Sequence, residues 1–487
     1  MRIHIASLFV SAALAGCVLP PKDAAHPQPL AAERVGLTGA ASEPAPDGWW
    51  DSFQDPQLDR LIRLGLRDSP TLAQGQARVG EALAQAQSAH AGLLPSANLD
   101  ASALYQRAPA NYLVPPPLAG HTFWMAQAGA SLGWDIDFWG RQADAVHRAR
   151  AVAEAARLEV DDARLMIAGA IAQSYIELYR EWALADIAER SAEQRQNIVN
   201  ITRRRVAAGL DTQLEMRAAE GQLPQARVAR AQAQAAADLA VHQLAVLTGQ
   251  GADAYASIQR PVLAVDAALP VPTVLPINLL ARRPDVLSAR LTVDAADAER
   301  LAAKAAFYPD VSLRALAGIG AFGLNNLVQW NARGYGAGPL ISLPLFDGGR
   351  LRAQQRGSEA QLDAAIAAYD DTVLHAVQQA SDQITRLDAL ARERLDQQQT
   401  LDATEAAYKL AEERYTAGLA SYLTVLNAET QVLNARQSMV DIQTGLAVSR
   451  VTLLLAVGGS FDARATGDRT GARASATSNE LLTRMNP

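Results

Sequence analysis

The side chains best suited to chemistry in this 487-residue chain are few and scattered. Cys17 is the only cysteine, so one chain can form neither a disulfide nor a thiolate metal cluster. The seven histidines show no paired spacing for a metal ion, and His375 lies in a helical stretch as a packed or surface residue. The glycine-rich strings Gly318 to Gly323 and Gly334 to Gly338 look superficially like phosphate loops. They lack the P-loop lysine and sit where strands are expected. No catalytic set, metal site or cofactor site emerges, so the expectation is a non-enzyme with no cofactor. A net charge of −7 and a pI near 5.6 give no basic footprint for nucleic acid.

One residue does suggest chemistry. Arg2, an apolar run from Ile5 to Leu14 and the small residues Ala15 and Gly16 form a secretory signal over 1–16. Leu14, Ala15, Gly16 and Cys17 resemble a bacterial lipobox, in which cleavage precedes the cysteine and its sulfur takes a diacylglyceryl group. Each buried acyl methylene contributes about 0.8 kcal/mol, so the anchor would be permanent and outer-membrane lipid a partner. The alternative is an ordinary signal that happens to end at a cysteine. Val18, rather than Asp, follows Cys17; in lipoproteins that favours sorting to the outer membrane. Residues 17–47, rich in Ala and Pro, read as a flexible tether, and 460–487 as a disordered tail. Beyond the signal no uninterrupted apolar run of 18 residues occurs, so a bilayer could be crossed only as a closed β-barrel.

The elements that must do the positioning are written twice. Ser69 and Pro70 running on to Pro95 match Arg283 and Pro284 running on to Pro309, and Gly140, Asp161 and Gly209 match Gly349, Asp370 and Gly418. The first repeat is expected over 48–250 and the second over 276–459, with 251–275 as linker. Period-two alternation places strands at about 96–106 and 122–137, then 310–320 and 335–346. Each is long enough to cross a bilayer at a tilt, which takes roughly 9 to 11 residues. A soluble four-stranded sheet would alternate in the same way. Four strands cannot close a membrane barrel, whereas three chains would supply about 12.

Proline-free stretches from Gly140 to Ala207 and from Gly349 to Thr416 predict very long helices, reaching about 100 Å if unbroken. Ile171, Tyr175, Leu178, Trp182 and Ala185 keep heptad spacing, as do Val425, Val432, Met439, Leu446 and Leu453, so coiled-coil contacts are expected. Gly209 and Gly418 fall where one helix ends and another begins, and each is followed by an N-cap candidate, Thr212 or Ser421. Both read as helical hairpins.

Three motifs carry a family resemblance covering roughly Trp49 to Gly459. Gly48 to Leu58 (GWWDSFQDPQL), Arg282 to Val286 (RRPDV), and Arg414 to Gly418 with Leu423 to Ala428 are similar to signatures of the TolC-like outer-membrane factors, in the lipoprotein branch serving resistance-nodulation-division pumps. The resemblance implies a mainly α fold with a membrane β-barrel. Two tandem repeats per chain would assemble as a homotrimer with a 12-stranded β-barrel continued by a 12-helix α-barrel. It implies an outer-membrane duct reaching into the periplasm, passive in small-molecule export, partnered by a periplasmic adaptor and an inner-membrane pump. A duct for type I protein secretion and a non-spanning coiled-coil lipoprotein are the rival readings.

By motif position the resemblance also assigns a gate. Glu215 falls on an acidic site and Tyr415 on a tyrosine that together hold the tip closed, while Leu423 matches an apolar constriction. The chain departs from the pattern at Thr424 and Asn427, where acidic rings are expected, and at Ala420, where a basic partner is expected. Glu215 could equally be a solvated helix residue. The turns around Gly209 and Leu210, and around Gly418 and Leu419, are the expected adaptor-docking surface.

Overall fold

The computed structural model describes residues 25–462, apart from 38, 39, 42, 112–115, 117 and 277. The signal, Cys17 and residues 463–487 lie outside the described residues. Among the described residues seven α-helices and four strands follow one another as α1 (Pro56–Asp68), α2 (Pro70–Ala91), β1 (Ser96–Arg107), β2 (Thr122–Ile136), α3 (Arg141–Ala207), α4 (Gln213–Leu247), α5 (Pro284–Ala305), β3 (Asp310–Phe322), β4 (Arg333–Ser342), α6 (Arg350–Thr416) and α7 (Tyr422–Ala456). The duplication is visible in the lengths: α2 and α5 have 22 residues each, α3 and α6 have 67, and α4 and α7 have 35.

Two compact units are present. One joins 25–29, Arg78–Ala156 and Ser288–Tyr369; the other joins Leu30–Ala77, Arg157–Leu287 and the chain from Asp370 onward. The first holds a single antiparallel sheet of order β1-β2-β3-β4. Its register aligns Leu99 with Ala130, Ala130 with Ala317 and Ala317 with Tyr335, so the apolar positions of all four strands share one face. β4 stops at Ser342 rather than near 346, opposite Asp310, where its partner β3 begins. Where the sheet meets the helices, Trp139 donates its indole N–H to the Pro309 carbonyl at 2.8 Å and stacks on Tyr308.

In the second unit the GWWDSFQDPQL signature is a structural clasp. Asp55 caps α1 by accepting from the Gln57 amide at 2.9 Å, and its other oxygen accepts from the Tyr175 hydroxyl at 2.6 Å and the Val262 amide at 2.9 Å. Trp49, Phe53 and Leu58 are buried beneath it, each burial contributing roughly 1.5–3 kcal/mol. The RRPDV signature closes the second repeat in the same spirit. Arg283 grips Asp285 and donates to the Ala456 carbonyl at the end of α7. Gly458, at φ 95°, crosses so close that a Cβ would lie 2.1 Å from the Arg282 carbonyl oxygen.

The heptad positions Ile171, Tyr175, Leu178 and Ala185 of α3 are buried, as are Val425, Val432, Met439, Leu446 and Leu453 of α7. Helix α7 corrects one expectation: it is long and apolar enough to cross a bilayer. Its heptad face is buried against other helices, and it also buries Glu429, Thr444 and Ser449. A second correction concerns 17–47, expected as a flexible tether. From residue 25 it is held in place: His26 pairs with Asp363 at 2.9 Å, and the Leu30 amide donates to Asp370 at 2.8 Å. Leu37 is buried with Leu279, Ala380 and Leu453. The tail expectation also gives way at its start, where Phe461 is buried. Within 251–275, Leu263, Val265 and Leu269 are buried and Arg260 pairs with Asp186.

Candidate functional site

Two places have the chemistry of a conduit, the faces of the sheet and the paired helix turns. On the sheet, alternation gives each face its own character. One face carries Leu99, Tyr105, Trp124, Leu132, Trp134, Leu313 and Ile341, all exposed. The opposite face carries Ser96, Asn98, Asp100 and Ser102 on β1, Gln127, Gly129, Ser131 and Gly133 on β2, and Gly334, Gly336 and Gly338 on β4. Such a sheet has one side suited to hydrocarbon and one suited to water. Arg314 lies across Gly133 toward Asp135, 3.4 Å away, where any Cβ on Gly133 would meet the guanidinium.

The turns are built from their glycines upward. Gly209 (φ 71°) ends α3 and Gly418 (φ 78°) ends α6, in the left-handed conformation that closes a helix with little penalty only for glycine. After Gly209 the Thr212 hydroxyl accepts from the Leu214 amide, and the Glu215 carboxylate accepts from the Thr212 amide at 2.9 Å and from its hydroxyl. That is a capping box, and the Thr212 hydroxyl is the main cause holding the Glu215 carboxyl below its ordinary range. Ser421 does not cap α7 in this way; its hydroxyl meets that of Thr424 at 3.1 Å.

Tyr415 is fully buried, and its phenol donates to Asp211 at 2.7 Å, not to Glu215. Thr202 Oγ1 lies 2.8 Å from the same phenol. Arg205 completes the network: it forks onto Asp211 at 2.8 and 3.0 Å, donates to the Tyr415 carbonyl at 2.8 Å and lies over the Tyr415 ring. The first hairpin is thereby tied to the second within one chain. Burial, reinforced by the Asp211 carboxylate, pushes the Tyr415 phenol up to about 12, while the hydrogen bond from Arg205 holds the Asp211 carboxyl below its usual value. The pairing expected between Glu215 and Tyr415 is therefore replaced, within the chain, by one between Asp211 and Tyr415.

The remaining expected residues are exposed. Leu423, Thr424 and Asn427 share the open side of α7, while Tyr422 and Val425 turn into a core with Ile198, Met216 and Tyr408. Leu210 and Leu419 are exposed at equivalent places of the two turns, and so are Leu214 and Leu423. Leu214 escaped the sequence reading, although the repeat offset that relates Leu210 to Leu419 also relates it to Leu423.

A family profile described as "Outer membrane efflux protein" matches residues 61–250 and 275–459, one segment on each repeat. The chain belongs to the outer membrane efflux protein family. Its relatives in that family include the multidrug resistance outer membrane protein MdtP of Escherichia coli (strain K12), 31% identical over 95% of this chain and 97% of that protein. The fusaric acid resistance protein FusA of Burkholderia cepacia is 36% identical over 74% of this chain and 69% of FusA. Among solved structures, the outer membrane protein VceC of Vibrio cholerae superposes with a TM-score of 0.81 at 33% identity, covering 86% of this chain and 100% of VceC. This efflux protein is an outer-membrane channel with periplasmic reach, from a family of channels and not of known enzymes.

Proposed function

We propose that three copies of this chain close into one exit duct of a tripartite efflux pump, through which small molecules such as drugs leave passively. The observation that carries the reading is the sheet: β1 and β4 are its edges, and both are exposed along nearly their whole length. An open membrane sheet leaves its edge N–H and C=O groups unpaired in hydrocarbon. Three four-stranded sheets joined edge to edge remove the edges and give about 12 strands, enough for a water-filled lumen. The apolar face then meets lipid and the Ser, Asn, Gln and Gly face meets water. Small-molecule cargo is supported by the names of the relatives, which refer to multidrug and fusaric acid resistance.

The partners follow from the same reading. A periplasmic adaptor docks on the turns at Gly209, Leu210, Gly418 and Leu419, where the exposed leucines, Leu214 and Leu423 included, give it an apolar footing. An inner-membrane resistance-nodulation-division pump supplies the energy. Cys17 carries the lipid. Leu423, Thr424 and Asn427 line the closed tip, and the tie at Tyr415 holds it. Without acidic side chains at Thr424 and Asn427, that tip is weakly cation selective.

The mass of the purified protein in detergent, by native mass spectrometry, tests closure: a trimer is expected, and a stable monomer defeats the proposal. Metabolic palmitate labelling that disappears in Cys17→Ala tests the anchor. Hypersensitivity of a deletion strain to a drug panel, with exported proteins unchanged, tests the cargo.

A further inference from the structure

We propose that the hairpin end of the lumen wall carries an apolar collar, formed by Leu104, Phe123, Met125 and Phe322, that favours apolar over charged solutes at the exit. The collar rests on the barrel closure proposed above, which makes the polar face of the sheet a lumen. On that face, Leu104 pairs with Met125 and Met125 with Phe322, so three apolar side chains cross the sheet in one row. Phe123 meets Phe322 edge to face at 5.3 Å. The Gln106 amide leans onto the Met125 sulfur at 3.7 Å, on the same face. Leu104 is 52% exposed and Phe322 48%, with Phe123 and Met125 half-buried, so among the described residues the row keeps an open surface.

The wall below the collar has the opposite character. The next row is Ser102, Gln127 and Gly320, and the row after it is Asp100, Gly129, Gly318 and Gly334. Gly129 and Gly318 floor a cavity of about 540 Å³ with Asp100, Gln127 and Ser131 beside it. The two strands approach so closely there that a Cβ on Gly318 would lie 2.8 Å from the Gly129 Cα. Apart from Leu316 and Leu340, which stand singly in rows further down, side chains that are polar or missing leave the wall wet and wide, and the apolar row stands at its outer margin. Three copies would bring three such rows into one ring. A charged solute crossing the ring sheds part of its hydration with only the Gln106 amide, already turned onto Met125, to replace it, whereas an apolar solute exchanges water for hydrocarbon.

A thiol reporter inside the ring measures this directly. Asn98→Cys, exposed on β1 two rows below Ser102, is placed in the full-length chain, with the unaltered chain as control for Cys17. Intact cells receive, from outside, two maleimides of equal bulk, both too large for general porins, one apolar and one sulfonated. A probe laying ~60 Å² of apolar surface on the collar is expected to react about tenfold faster. In the Leu104→Ser, Met125→Ser, Phe322→Ser background the two rates converge. Equal rates with the native collar, or a preference that survives the triple variant, overturn the proposal. Should the triple variant fail to assemble, Leu104→Ser alone decides: a reduced preference supports the collar, and an unchanged one shows that the row only packs against loops or a neighbouring copy. If neither probe reaches Asn98→Cys while the protein is trimeric in the membrane, the barrel reading fails and the collar falls with it.

Discussion

The two helix turns descend from one plan, yet they have divided the work between them. Gly209 and Gly418 have the same left-handed conformation, and Leu210 and Leu419 the same exposure. Around that shared frame both turns have an arginine, and the first alone has the carboxylate Asp211 and the hydroxyl Thr202. It supplies Thr202, Arg205 and Asp211, whereas the equivalent positions of the second repeat hold Ala411, Arg414 and Ala420. The second turn supplies the ring, Tyr415, where the first repeat has Val206. A duplicated scaffold thus became a lock and a key by unlike substitution at equivalent sites. The capping box at Thr212 holds the first turn rigid, and the second, with Ser421 turned to Thr424, lacks that brace.

Removing the shared cation should disturb the pair most. Arg205→Ala deprives Asp211 and the Tyr415 carbonyl of their donor, a loss of about 3 kcal/mol for hydrogen bonds to a charged group. Amide exchange in both turns is then expected to accelerate about a hundredfold; acceleration in only one turn would show that they are not tied. Tyr415→Phe removes the phenol from Asp211 and Thr202, roughly 2 kcal/mol, and should raise single-channel conductance. Glu215→Ala should leave conductance unchanged, since its carboxylate serves α4 alone; an increase there would restore Glu215 as a gate residue.

The caps give a smaller and sharper contrast. Thr212→Ala is expected to loosen the first turn by about 1 kcal/mol, and Ser421→Ala the second by only a few tenths, roughly 0.3. Equal effects in exchange measurements would erase the asymmetry. The weakest effect is in acid. The Asp211 carboxyl is held below its ordinary 3.8, so the stability it lends to the tie is complete above that value and lost only as pH falls through the lower value in the folded state. Channel opening should therefore be insensitive to pH from neutrality down to about 4 and rise below it, and Asp211→Asn should abolish that rise.

Much of the architecture is legible in the chain because it rests on local periodicity. Alternation every second residue marks β1 to β3, heptads mark α3 and α7, and the repeated glycines mark both turns. These signals act over a few residues and survive without tertiary context. The same locality explains the errors. The segment from His26 to Leu37 looked like a tether by composition, but its anchors, Asp363 and Asp370, lie more than 300 positions away. The role of Glu215 could have been read, since Thr212 with Glu215 three residues on is a capping-box pattern. The role of Asp211 could not, because nothing near it in the chain points to Tyr415.

The sequence by itself determined the duplication, the strand pairs, the long helices and the positions of both turns, since each depends on residues within a turn or two of one another. Only the tertiary structure decided which of two carboxylates, Asp211 or Glu215, reaches the buried phenol. That choice depends on how two hairpins from opposite halves of the chain pack together, and a hydrogen bond forms or fails over a few tenths of an ångström.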